Sequence, residues 1–364
     1  MNLRCGIVGL PNVGKSTLFN ALSNAGAESA NFPFCTIDPN IGLVPLPDKR
    51  LNRLSELVEP KSTIPATIEF VDIAGLVKGA SEGKGKGNAF LSHIREVDLI
   101  IHVVRCFDEP DIIHVEGDID PERDIRIIED ELILKDLESV EKRVENLQKQ
   151  SKSGDKKIIQ QLQTVERLQE HLADGKSARN FAMMKEEESH LRDLFLLSGK
   201  PVLYACNVSE NDLSEGNQCV DIVREIASDY DDEVVTFCAK IESEIAELDE
   251  NEKEMFLEEL GIESAGLDRL IRSAFNKLGL ITFFTAGPKE VRAWTIKQGT
   301  KAPKAASVIH TDFEKGFIRA ETISYGDYEK LGSEKAAKEA GKMRQEGKEY
   351  VVEDGDVMLF RFNV

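Results

Sequence analysis

Eight residues near the start of the chain, Gly9-Leu10-Pro11-Asn12-Val13-Gly14-Lys15-Ser16, have the spacing G-x-x-x-x-G-K-[ST]. That spacing suits one kind of chemistry, the gripping of a phosphate chain. Glycines let successive backbone N–H groups turn inward around phosphate oxygens. The helix opening at Lys15 adds the positive end of its dipole. Lys15 would neutralise the β and γ oxygens, and the Ser16 hydroxyl would bind Mg²⁺. The apolar run Leu3–Val8 reads as a strand before the loop, and Ser16–Ser23 reads as a helix after it. Strand before and helix after is the context that a P-loop requires.

Further groups with matching chemistry follow at intervals. Asp72-Ile73-Ala74-Gly75 ends the strand-like run Thr67–Ile73. A carboxylate there can hold Mg²⁺ through water, and the Gly75 N–H can meet a γ-phosphate. Thr36, in the loop Asn31–Asp38, can complete a Mg²⁺ shell while that phosphate is present; a plain turn threonine is the alternative. Five glycines between Gly75 and Gly87 suit a segment that orders on the triphosphate and relaxes after hydrolysis. Asn207-Val208-Ser209-Glu210 follows the run Val202–Cys206, where translational GTPases carry N-K-x-D. Here the lysine stem is missing and the carboxylate is one methylene longer, so selection of the guanine edge should fall. Asn207 can still bond a purine, and Val208 can pack on it through side chain or backbone. Cys238-Ala239-Lys240, after the run Val234–Phe237, sits where such GTPases place an S-A-K-like loop against the base.

These groups need a scaffold. Leu3–Val8, Ile41–Leu46, Thr67–Ile73, Leu99–Val104, Val202–Cys206 and Val234–Phe237 are continuous apolar runs with helical stretches between them. Such a pattern predicts an α/β domain with a buried, mostly parallel sheet. About a hundred residues of different character interrupt it. Ile133, Leu137, Val140, Val144 and Leu147 form one stripe, and Ile158, Leu162, Val165, Leu168 and Leu172 form a second, with Gly154 in the turn between them. The stripes predict an antiparallel, coiled-coil-like helical hairpin whose apolar seam is packing rather than a ligand site. From Ile281 onward, short runs at Val291–Ile296, Thr300–Pro303, Phe317–Thr322, Tyr350–Val352 and Asp356–Phe362 predict a small β-rich module with one helix near Asp327–Glu339. The expected division is 1–120 with 200–280 for nucleotide binding, 121–199 for the hairpin and 281–364 for the last module.

Composition narrows the class. A chain of 364 residues, 41% hydrophobic and 31% charged, is too long for one core and too apolar for disorder. No run is apolar and long enough to span a membrane, and Met1-Asn2-Leu3-Arg4 does not begin a signal peptide. Six scattered cysteines without a CxxC pair read as reduced thiols in a cytoplasmic protein. The net charge of −20 argues against wholesale nucleic-acid binding. The charge is uneven, because residues 281–364 hold 14 basic and 13 acidic side chains. A near-neutral module could approach RNA where the acidic body is repelled; an ordinary solvated surface is the plainer reading. Lys289, Arg292, Lys297, Lys301 and Lys304 form a basic run consistent with phosphate contacts.

With Gly9–Thr17 (GLPNVGKST), Asn31–Asn40 (NFPFCTIDPN), Asp72–Asn88 (DIAGLVKGASEGKGKGN) and Asn207–Glu210 (NVSE) in view, the sequence resembles the YchF / Obg-like ATPase family over nearly its whole length. The resemblance implies a P-loop domain with nucleotide contacts from Asn12, Val13, Gly14, Lys15, Ser16, Thr17, Gly75, Asn207, Val208 and Glu210. It implies Mg²⁺ on Ser16, Thr36 and Asp72, and a C-terminal module of the β-grasp-like TGS type. It also implies ATP preferred over GTP, association with the ribosome or its large subunit as a monomer, RNA contact through the last module and K⁺ stimulation with Asn12 as ligand. Ras-like enzymes place a water-orienting Gln directly after D-x-x-G. This chain has Leu76 there, which can neither donate nor accept. The resemblance points instead to His114, whose imidazole could orient or accept from water near neutral pH. His93 is a weaker candidate, and His102, inside an apolar strand, reads as core. Two other readings stay open: a nucleotide-liganded RNA-binding or stress regulator with little hydrolysis, and a conventional translational GTPase.

Overall fold

The computed structural model describes residues 3–28, 40–73, 86–109, 114–246, 248 and 250–363. Among the described residues, twelve strands run in chain order: β1 (Arg4–Val8), β2 (Ile41–Pro45), β3 (Thr63–Ile64), β4 (Thr67–Asp72), β5 (Leu99–Cys106), β6 (Val202–Val208), β7 (Glu233–Phe237), β8 (Leu280–Ala286), β9 (Val291–Lys297), β10 (Phe317–Ser324), β11 (Arg344–Glu346) and β12 (Asp356–Phe362). They form two six-stranded sheets.

The first sheet has the order β2-β4-β1-β5-β6-β7. Only β2 is antiparallel to its neighbour; the other four pairings are parallel. All eight residues of β5 and all seven of β6 are buried, which is why these segments read as unbroken apolar runs rather than alternating ones. Because β1, β4, β5 and β6 are parallel, their C-terminal ends open on one edge of the sheet, where α/β proteins bind ligands.

The helical insert forms as its stripes predict. Helix Pro121–Ser151 starts on an Asp120 N-cap, with Pro121 in its first turn, where a missing N–H costs nothing. The chain reverses through Gly154, at φ +78°, and a second cap, Asp155, opens helix Lys156–Ala173. Ile133, Val140, Val144, Leu147, Val165, Leu168 and Leu172 meet in a core separate from that of the sheet. Ala178, Phe181 and Leu191 close its open side. The insert is therefore a small packed unit with its own third layer.

The second sheet has the order β11-β10-β12-β8-β9-β3. Its last strand comes from far away in sequence. Between β2 and β4 the chain leaves the nucleotide domain, forms helix Lys49–Val58, and lays Thr63 and Ile64 parallel to β9 beside Val291 and Arg292. Arg50 ties the same excursion down. Its guanidinium donates to Asp48 at 2.8 Å and to Asp354 at 2.7 Å, and Asp354 also accepts the Thr282 N–H at 2.9 Å.

Three local expectations in the last module are corrected. Thr300–Pro303 leads into helix Ala302–Ile309 rather than a strand. Pro303 sits in the first turn of this Ala-rich helix, where proline is tolerated. Tyr350–Val352 contributes only a single bridge, Val351 to Lys301. The helix expected near Asp327–Glu339 is two helices, Tyr325–Leu331 and Glu334–Glu339. Gly332, at φ +75°, ends the first in the left-handed conformation, and the Ser333 hydroxyl caps the second.

Candidate nucleotide site

The P-loop runs from the end of β1 into helix Lys15–Glu28. Gly9, Asn12 and Gly14 have φ of +156°, +63° and +99°, and these positive angles curl the backbone into a cup. At two positions only glycine fits. A Cβ on Gly9 would lie 2.5 Å from the Val103 carbonyl oxygen, and one on Gly14 would lie 2.3 Å from Nδ2 of Asn207. Val13 is buried beneath the loop, whereas Ser16 and Thr17 are exposed on the first helical turn.

Lys15 is almost wholly buried and donates to the Leu10 carbonyl at 2.6 Å, a bond within the loop itself. Burial lowers its pKa to about 8, against an opposing pull from the Asp72 carboxylate. Burial in turn raises Asp72, and Lys15 opposes that shift. The two groups from separate motifs are thus electrostatic neighbours. A phosphate oxygen offered to Lys15 would replace the Leu10 carbonyl with a charged acceptor, which gives a stronger hydrogen bond. Asp72 also lines a cleft of about 120 Å³ with Asn40, Arg4 and His93.

The Asn207 side chain joins loops from separate parts of the chain. Its amide nitrogen donates to the Val13 carbonyl at 3.0 Å, and its carbonyl oxygen accepts the Ala239 N–H at 3.0 Å. The side chain is buried and clasps three loops together: the P-loop, the end of β6 and the turn after β7. Val208 is also buried, so only its backbone can serve a base, while Glu210 and Lys240 are exposed at the rim. Ser209 donates to Asp212 at 2.8 Å, and Asn217 donates to Asp212 and to the Cys106 carbonyl, which steadies the loop carrying Glu210.

His114 faces inward. Its Nδ1 accepts the Glu116 N–H at 3.1 Å, so the proton of the neutral ring sits on Nε2 and is donated to Asp124 at 2.8 Å. Arg123 holds the other oxygen of Asp124 at 3.1 Å. Both ring nitrogens are therefore engaged, and the residue is anchored to the first turn of the long insert helix. His93 is exposed. His102 is buried in β5, and burial with repulsion from Arg179 and Lys15 lowers its pKa to about 3, so it stays neutral core. Thr36, Gly75 and Leu76 lie outside the described residues. The Asp124 partnership was not anticipated. Its signal was a carboxylate on the same helical face as Ile128 and Leu132, all three buried.

Hard oxygen donors suit Mg²⁺, and Ser16 and Asp72 supply them. Among the described residues no group of three or more His, Cys, Asp or Glu could hold an ion. A Mg²⁺ bound by one or two protein oxygens, with phosphate and water completing the shell, needs no such group.

A parallel sheet, a glycine-shaped phosphate cup at its C-terminal edge and a lysine poised inside define a P-loop nucleotide hydrolase. Residues 4–159 match a family model described as "50S ribosome-binding GTPase", and residues 280–363 match the YchF-GTPase_C model, described as "Protein of unknown function (DUF933)". The chain is 57% identical to "Ribosome-binding ATPase YchF" of Bacillus subtilis (strain 168), with all of both chains covered. The protein of the same name from Haemophilus influenzae is also 57% identical over both full lengths. The solved structure of the Schizosaccharomyces pombe YchF GTPase superposes with a TM-score of 0.90 at 42% identity, covering 99% of this chain and 98% of that one. The chain belongs to the YchF / Obg-like ATPase family.

Proposed function

We propose that the protein is a Mg²⁺-dependent ATPase, preferring ATP to GTP, that works as a conformational switch on the ribosome or its large subunit, as a cytoplasmic monomer. The observation that carries the nucleotide reading is the cup of Gly9, Asn12 and Gly14 around the buried Lys15, with Asp72 beside it. The base preference rests on Glu210 and Val208 standing where a guanine-reading site has Asp and Lys. The ribosome comes from the printed names of relatives that match end to end.

In this reading Ser16, Asp72 and Thr36 hold Mg²⁺, which when bound would neutralise phosphate charge. The amides of Val13 to Thr17 and Gly75 grip the triphosphate, and Lys15 faces the oxygens on which charge accumulates. Asn12 would offer an oxygen to K⁺. Leu76 cannot position water, so intrinsic turnover is slow. His114 can take that task only after its ring leaves Asp124, which makes the Asp124 bond a brake on hydrolysis. Loss of the γ-phosphate then releases Thr36 and the glycine-rich segment, and a partner surface is reset. Contact of the last module with RNA, through the run Lys289 to Lys304, is part of the same proposal.

Competition binding of ATP and GTP, with phosphate release measured with and without ribosomes, tests the reading. ATP should displace GTP, ribosomes should raise turnover, and His114→Ala should lower turnover without weakening ATP binding. Equal affinity for both nucleotides would overturn the base assignment. Unchanged turnover in the variant would remove His114 from the reaction.

A further inference from the structure

A cluster of basic side chains lies away from the P-loop. Helix 86–96 ends at Glu96, just before β5 begins, so Arg95 sits at the edge of the sheet opposite the P-loop. There the base of the helical insert meets the nucleotide domain, and a groove of about 700 Å³ opens between them. Arg95, Lys135, Lys142 and Arg143 line it, against two carboxylates, Glu138 and Asp193. On a chain of net charge −20 such a local excess of cations stands against the general field.

Three details make this more than a solvated helix face. Lys135 and Lys142 lie two turns apart on one side of helix Pro121–Ser151, about 10 Å along its axis, so both can face one extended strand. Arg143 follows Lys142 directly and lines the same groove, so two adjacent cations face it. Phe195 is 68% exposed at the groove wall with φ +47°, a conformation in which a bulky residue is an outlier. The fold holds an aromatic ring out in water beside four cations. Cations spaced along a groove with an exposed ring at its wall are the parts of a site for unpaired nucleic acid, in which phosphates meet the cations and a base stacks on the ring.

We infer that this groove is an RNA-binding site, taking an unpaired stretch of RNA with a base stacked on Phe195 and its phosphates on Lys142 and Arg143. The inference rests on the ribosome-binding reading for the source of that RNA, and it places a contact on the insert as well as on the last module. Glu138 sits between its two lysines, at 2.5 Å from Lys135 and 2.7 Å from Lys142. It competes with phosphate for both, so it sets the affinity of the groove.

The test uses the full chain and a short fluorescein-labelled single-stranded RNA, read by anisotropy across a salt series, beside pelleting with ribosomes. Lys142→Glu with Arg143→Glu should weaken RNA binding on the order of tenfold or more and flatten the salt dependence. Phe195→Ala should weaken it roughly fivefold or more. Glu138→Gln should tighten it, a gain that damage to the fold cannot produce. Nucleotide binding should be unchanged in all of them. Wild-type affinity in every variant would overturn the groove assignment. So would a photo-reactive benzophenone amino acid in place of Phe195 that crosslinks ribosomal protein and no RNA. If the wild-type chain binds the RNA with this pattern but pellets with ribosomes in no nucleotide state, the groove stands and the ribosome reading fails.

Discussion

Gly14 and Lys15 are adjacent, and each is constrained by a different neighbour. At Gly14 a methyl group would meet Nδ2 of Asn207 while the backbone holds φ +99°. Gly14→Ala should cost about 1–3 kcal/mol from the backbone angle alone and push the loop off its clasp. Thermal melting should show the loss, and titration with ATP should show binding abolished. Lys15, with a pKa lowered to about 8, predicts a pH effect with a definite sign. Binding of phosphate favours the ammonium form, so binding takes up a proton once the free lysine has lost one. Triphosphate affinity should be flat below pH 8 and fall up to about tenfold per pH unit above it. Calorimetric titration at a series of pH values checks this, and Lys15→Met should abolish the dependence along with most of the affinity. The sequence made the phosphate cup legible because its glycines are demanded by backbone angles that no other residue adopts cheaply. The bonds of Asn207 to Val13 and Ala239 are not legible in the sequence, since an amide can face a base or a neighbouring loop, and spacing does not say which.

Among the elements, the helical insert shows how far periodicity can carry. Both stripes formed the seam their spacing requires, and Leu168 is fully buried within it. Leu168→Ala should destabilise the insert by about 2–5 kcal/mol. Amide hydrogen exchange should show faster opening across helices Pro121–Ser151 and Lys156–Ala173, with β1 and β5 protected as before. Strands hidden on both faces were equally legible, because unbroken runs such as Leu99–Val104 have few other uses. The misreadings are of one kind. Thr300–Pro303 reads as one of the short β runs, yet proline is equally at home in the first turn of a helix, which is where Pro303 lies. Asp327–Glu339 reads as one helix, but the left-handed backbone of Gly332 ends one helix and lets Ser333 start another. Two-residue β3 carries no periodicity at all, so nothing in Thr63-Ile64 announces a strand.

Across the whole molecule, the Arg50 guanidinium is the clearest tie between the two sheets. It is only partly exposed and bridges Asp48 of the excursion to Asp354 of the last module. Asp354→Asn should therefore lower stability by about 1 kcal/mol in low salt and by less in high salt, a difference that denaturant melts at two ionic strengths can read. The strand that crosses between the sheets has a larger consequence. Thr63 and Ile64 belong by sequence to the nucleotide domain, and by hydrogen bonding to the other sheet. A chain cut after Lys277 would keep this strand with nothing to lie beside. A chain begun at Leu280 would leave the outer rim of β9 bare. Each piece would carry raw main-chain donors and acceptors into water, the condition under which copies stick to one another. Neither half is a free-standing part that could be trimmed away or grafted onto another protein.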